Sequence, residues 1–185
     1  MSILSDTILN DIRTFLLDPD NTVCVSGGAS GADAMWSIIA AKHGIDTIHY
    51  SYHGHKKYSK DAVGLQVEIS QEKLKDADIS LKKANKTVGR NFPCRSLDTN
   101  SLLRRNYYQV LDSTSCYAVS RISYGKVEGG TAWATQMFID KHMETKPYDE
   151  CLCFVYDTIT NQWFQWVFNS FQQVGANDVP TPKGI

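Results

Sequence analysis

The sequence predicts an α/β protein with a mainly parallel, doubly wound sheet, helices on both faces and a C-terminal β-hairpin. Three observations carry this. Short β-branched or apolar runs alternate with amphipathic stretches between residues 22 and 156, the rhythm of strands joined by helices. Two glycine pairs, Gly27-Gly28 and Gly129-Gly130, each stand between such a run and a helix. A last aromatic run, residues 163–168, follows the apolar residues 151–156 across a turn-rich segment, which is a hairpin pattern.

Each element has its own signal. Residues 5–17 predict a helix: Ser5 or Asp6 can cap it, and Ile8, Leu9, Ile12, Phe15 and Leu16 form its apolar stripe. Asp18-Pro19-Asp20-Asn21 is a turn. Residues 22–26 are the first strand, and a helix over about 31–43 stops at Gly44 in the position that follows a C-cap. The second strand covers 46–52 and ends in His53-Gly54-His55-Lys56-Lys57. Residues 61–85 predict mostly helix, with a thin apolar face of Leu65, Ile69, Leu74 and Ala77. Residues 86–99 read as a long loop, 101–113 as a helix, 115–120 as a strand and 130–143 as a helix. In the hairpin, Phe164, Trp166 and Phe168 share a face by the period of two, which favours core packing over a dimer contact. The tail after Val174, with Pro180 and Pro182, is expected to be loose.

Composition narrows the function. The 185 residues suffice for one domain with a real core, centred on about 22–156, and 42% hydrophobic with 21% charged residues is the composition expected of a soluble globular protein. A formal net charge of −1 argues against general nucleic-acid binding, which draws on many Lys and Arg contacts. Cys24, Cys94, Cys116, Cys151 and Cys153 are odd in number, lack zinc spacing and lie mostly in apolar runs. Buried free thiols are the expectation. The first residues lack a basic and an apolar signal region, and no apolar run approaches the ~18 residues of a membrane span. A cytoplasmic protein without a membrane partner is expected.

The segment from Val23 to Asp33 is the most informative. Gly27 and Gly28 let the backbone come close to a ligand. Ser30 can cap the following helix, and Gly31 admits a close neighbour. The amides of such a turn face outward at the positive end of a helix dipole, a site for phosphate. Glu128-Gly129-Gly130-Thr131 opens a second helix in the same manner. Two such turns at the C-terminal edge of one sheet would hold a nucleotide or nucleotide derivative between them.

Other residues follow from this reading. Asp33, in the first helical turn, suits the dipole and would serve ribose hydroxyls or another loop. Arg105 offers a planar fork for phosphate, with Arg104 as its competitor and one of the two on solvated surface. Asn106 either binds ligand or pins a loop, and Thr131 either contacts phosphate or caps its helix. Ser26 flanks the first turn. His53, His55, Lys56 and Lys57 read as a solvated basic loop, because no further ligand stands at metal-binding spacing. Trp36 and Trp133 read as core residues before base-stacking ones. Neither a metal nor a cofactor is expected.

Ser26-Gly27-Gly28-Ala29-Ser30-Gly31-Ala32-Asp33 closely resembles the S-G-G-A-x-G-x-D turn of the SLOG superfamily. That superfamily includes DNA-processing protein A, the LOG-type cytokinin-activating enzymes and small proteins of the YspA/YpsA type. Arg105-Asn106 before the strand at 116–120 resembles its R-N helix, and Gly129-Gly130-Thr131 its second glycine turn. The three pieces cover roughly residues 22 to 143. The resemblance implies a Rossmann-like fold binding a nucleotide-like ligand between the two turns, with a homodimer as a possible assembly. LOG-type phosphoribohydrolases carry a glutamate after the second glycine turn, where this chain runs Ala132-Trp133-Ala134-Thr135-Gln136. Sensing or sequestering is therefore the leading expectation. Cleavage of an N-glycosidic bond, by a carboxylate from Glu128, Asp33 or Glu68, is the alternative, and single-stranded DNA binding a third.

Overall fold

The structure, a computed structural model, describes residues 12, 22–56, 58–147 and 149–180. The helix expected over 5–17 (Ile12 apart), the turn over 18–21, Lys57 and Pro182 lie outside the described residues. The chain divides into two compact units. The first comprises Met1–Asp78, Pro93–Ser113 and Pro182–Ile185, and the second Ile79–Phe92 and Thr114–Thr181.

In the first unit, β1 (Val23–Ser26), β2 (Asp46–Tyr52) and β3 (Leu65–Ile69) form a parallel sheet in the order β1-β2-β3. Helix α1 (Ala32–Lys42) packs on β1 and β2. Its end is closed by bonds from Gly44 N to Ala41 O and from Ile45 N to Ala40 O, with Gly44 at φ 71°. This is the paired bonding of a Schellman ending, as Gly44 predicts. Alternate β2 residues Ile48, Tyr50 and Tyr52 join Val67, Ile69 and Leu74 in a core against which Val23, Val25, Leu102 and Tyr108 pack. The residues between them, Thr47, His49 and Ser51, are buried and polar.

The helix expected over 61–85 is corrected in its first part. Leu65-Gln66-Val67-Glu68-Ile69 alternates with period two, and Val67 and Ile69 are fully buried as β3 pairs with β2. A 3-10 turn (Lys73–Ala77) and helix α2 (Asp78–Val88) follow. The expected loop over 86–99 is shorter at both ends, because α2 runs on to Val88 and helix α3 (Leu97–Val110) starts early. Ser96 caps it by accepting from Thr99 N at 3.2 Å. Asn100 fixes the preceding loop, accepting from Cys94 N and donating to Cys94 O, both at 2.9 Å.

In the second unit, β4 (Cys116–Ser120), β7 (Cys153–Asp157), β8 (Gln162–Val167) and β9 (Ser170–Val174) form one sheet in that order. The β4–β7 pair is parallel; β7–β8 and β8–β9 are antiparallel. Among the described residues, parallel pairing is thus confined to β1-β2-β3 and β4-β7. Short strands β5 (Ile122–Ser123) and β6 (Lys126–Val127) pair antiparallel and lead to helix α4 (Thr131–Thr145).

The expected aromatic face of residues 164–168 needs correction. Phe168 lies in the β8–β9 turn with Asn169, at φ 45° and 69°, and is 93% exposed. Two successive positive φ values suit the twist of a two-residue hairpin turn, and they break the strand period at Val167. The most buried β8 residue is Gln165, whose Nε2 donates to Glu150 Oε1 at 2.7 Å. The five cysteines are free thiols. Cys151 and Cys153 are buried, while Cys24, Cys94 and Cys116 are half-buried.

Candidate functional site

The first glycine turn is packed from both sides by its own unit. A Cβ on Gly27 would lie 1.4 Å from Arg105 Nη1, and one on Gly28 would lie 2.3 Å from the Tyr58 ring. Both glycines therefore make room for side chains of the protein. Gly28 holds φ 64°, a conformation glycine reaches without strain. Ser26 is buried and donates to Asp33 O at 3.1 Å, tying the strand end to the first helical turn.

The open part of the turn lies further on. Ser30 and Gly31 are exposed, and nothing lies within 4 Å of a Cβ placed on Gly31. Gly31, at φ 101°, is the N-cap of α1, and no side chain caps the helix there. The cap expected from Ser30 is thus corrected: the helix starts one residue later. Ala34 N is already bonded to Ala29 O at 3.1 Å, so the start leaves its first amides and the positive dipole end to whatever approaches from solvent.

Arg105 reaches this turn from α3. It is 4% exposed. Nη1 donates to Gln109 Oε1 at 2.7 Å and, at a longer 3.4 Å, to Asp33 Oδ2. Nε has no partner among the described residues. Burial pulls its pKa down and the Asp33 carboxylate pulls it back, but a guanidinium stays charged. The same Asp33 oxygen accepts from Ala29 N at 3.4 Å, so it serves the turn and the arginine together. Arg104 makes a bidentate pair with Asp78, at 2.6 and 3.0 Å, so the expectation that one of the two arginines is solvated is corrected. Asn106 is half-buried on α3.

Sequence reasoning missed the aromatic and imidazole shell around the turn. His49 on β2 is fully buried: Nε2 bonds Val63 O at 2.9 Å and Nδ1 has no partner among the described residues. Burial lowers its pKa and keeps the ring neutral. Tyr58 stands edge-on to His49 and to His55, with centroids 5.9 and 6.0 Å apart. His55 stacks on Tyr52 at 4.9 Å, and its Nδ1 bonds Ser51 Oγ at 3.2 Å. In the expected solvated loop, His53 and Lys56 are exposed but His55 is buried. The phenol of Tyr52 donates to Asp98 Oδ1 at 2.8 Å; burial and this bond raise its pKa. Polar residues at alternate positions of β2 were the available signal.

The second glycine turn lies in the second unit. Gly129 and Gly130 are exposed, nothing lies within 4 Å of a Cβ on either, and Gly129 is at φ 68°. Arg90 Nη1 donates to Gly129 O at 2.8 Å, a contact the sequence did not announce. Gly130 is the N-cap of α4, again without a side-chain cap, and Thr131 is half-buried at its first turn. Trp133 is buried 5.9 Å from Phe92, in keeping with a core role, while Trp36 on α1 is half-buried. The Glu128 carboxylate lies 3.9 Å from Arg121 Nε.

Among the described residues no group of three or more His, Cys, Asp or Glu side chains is placed to hold a metal ion. No helix among them is long and apolar enough to cross a membrane. No family model, curated protein or solved structure matches the chain.

Proposed function

We propose that the protein binds a nucleotide or nucleotide-derived small molecule through its phosphate at the first glycine turn, as a sensor or sequestering protein. One observation carries this reading. Arg105 is a buried cation whose one carboxylate partner among the described residues stands at 3.4 Å and whose Nε is unmatched among them, and it lies against Gly27 in the turn that opens α1. A buried charge that is weakly neutralised raises the affinity of its surroundings for an opposite charge. The uncapped start of α1 adds amide donors of the same sign. Arg105 acts here through its field and by shaping the turn. It lies under the turn, so a direct fork on phosphate is no longer required.

Membership of the SLOG superfamily and a Rossmann-like, doubly wound arrangement are part of the same proposal. They are supported by the strand–glycine-turn–helix order at 23–42 and by the parallel pairing of β1 with β2. Binding is favoured over N-glycosidic cleavage because two of the three candidate carboxylates have other work. Asp33 holds Ala29 N and Arg105, and Glu128 faces Arg121.

Titration calorimetry with AMP and adenosine tests the reading, using the intact chain and Ser30→Glu. AMP should bind more tightly than adenosine. The new carboxylate suits the helix dipole, so the fold should persist, while AMP affinity should drop about tenfold, or about 1.4 kcal/mol. Equal affinity for the two ligands, or no loss in the variant, would sink the proposal.

A further inference from the structure

We propose that the Tyr58 ring is a built-in stand-in for the ligand's planar base: it fills the slot over Gly28, and a base-bearing phosphate ligand must turn it out to bind. This rests on the first glycine turn being the phosphate site.

The slot is shaped for a flat ring. Its floor is Gly28, where any Cβ would strike the Tyr58 ring. The His49 ring meets Tyr58 at an interplanar angle of 88° and the His55 ring at 75°, so both stand nearly upright to it. These contacts are those of an aromatic site, which accepts one flat ring in place of another.

What holds the ring among the described residues is packing against Gly28, His49 and His55. A half-buried tyrosine usually secures its hydroxyl, yet no described residue hydrogen-bonds the Tyr58 hydroxyl. The backbone beside it is fixed: Ala29 and Tyr58 form an antiparallel bridge, and Ser59 N donates to Gly28 O at 2.7 Å. The moving part is therefore the side chain alone, which passes between staggered wells about χ1. His49 Nδ1, buried beside the ring without a partner among the described residues, is a polar atom that the Tyr58 ring leaves unused and a nucleobase can bond.

The economy of such a plug is that it taxes affinity by the fraction of molecules with the ring out. The test compares AMP with ribose 5-phosphate, which lacks the base, on the intact chain and on Tyr58→Ala and Tyr58→Phe. Tyr58→Ala should bind AMP about tenfold more tightly, as for a ring that is out in roughly one molecule in ten. Ribose 5-phosphate should change less than about twofold. Tyr58→Phe should match the intact chain for both ligands, because no described residue hydrogen-bonds the hydroxyl. Should the alanine variant lose its cooperative thermal transition, Tyr58→Leu makes the same comparison, with a smaller gain confined to AMP. Unchanged or weaker AMP binding on removal of the ring overturns the plug, and weaker binding would identify Tyr58 as a stacking platform. An equal gain for both ligands overturns it too. Failure of the intact chain and the variants alike to bind either phosphate ligand overturns the phosphate site, and the plug with it.

Discussion

A Cβ on Gly27 would fall 1.4 Å from the Arg105 guanidinium, whereas nothing comes within 4 Å of one placed on Gly129 or Gly130. Both pairs follow a strand and open a helix without a side-chain cap, and in the sequence they read alike. The first spends its missing Cβ on packing around a buried charge and an aromatic ring. The second leaves that space to solvent, and its Gly129 serves the backbone dihedral. The lesson is that a glycine motif reports a geometric need without saying whether a ligand or the protein itself fills the room.

The sharpest break of this comparison is Gly27→Ala. The methyl must displace a buried guanidinium from Asp33 and Gln109, and we expect a loss of about 3 kcal/mol in urea denaturation. A loss below about 1 kcal/mol would mean that Arg105 moves aside freely, and the contrast between the turns would collapse.

The second test is acid. Burial lowers the His49 pKa below 6.5, so the unfolded chain takes up a proton more readily than the folded one. The resulting stability is complete above about pH 6.5 and is lost progressively as pH falls below it. In the second unit, Thr160 and the Ile122 amide hold the Asp157 carboxylate down to about 2. Its contribution is present above the ordinary carboxylate range and is lost only as pH falls toward 2. His49→Gln should flatten the decline in Tm between pH 7 and 5, and Asp157→Asn should leave the slope in that window unchanged. The reverse pattern would place the acid-sensitive group in the wrong unit.

The smallest effect is expected at Gly130→Ala. The residue has helical φ −66° and ψ −29° and open space around it, so the change should cost about 0.5 kcal/mol or less, read as a Tm shift. A loss comparable to that of Gly27→Ala would show that the second turn, too, is packed.

Most elements were legible. The strand at 46–52, the helix from 31 and its Gly44 stop follow from local signals: β-branching, periodicity and a glycine at the C-terminus. The strand β3 was not, because its five residues sit beside a charged stretch and its first residue, Leu65, is 56% exposed. An alternation that short is outweighed by the helical stretch that follows it. In the candidate site, the glycines, Asp33 and Arg105 were legible as types. Their arrangement was not. That Arg105 lies beneath Gly27 depends on α3 and β1 meeting across some 78 residues of chain, which no local pattern encodes. Tyr58 was hidden for a like reason: it follows a basic loop, and only the bridge to Ala29 turns it back over the turn.

The placement of tryptophans gives the two units different optical signatures. Trp133, Trp163 and Trp166 belong to the second unit, and Trp36 is the first unit's sole tryptophan. Bulk indole emission therefore follows mainly the second unit, while the first is richest in tyrosine, with Tyr50, Tyr52, Tyr58, Tyr107 and Tyr108. Trp36 sits at the fifth residue of α1, half-buried, one turn beyond the glycine turn. With the other three indoles replaced by phenylalanine, its emission becomes a private reporter on the start of that helix, visible without any added label.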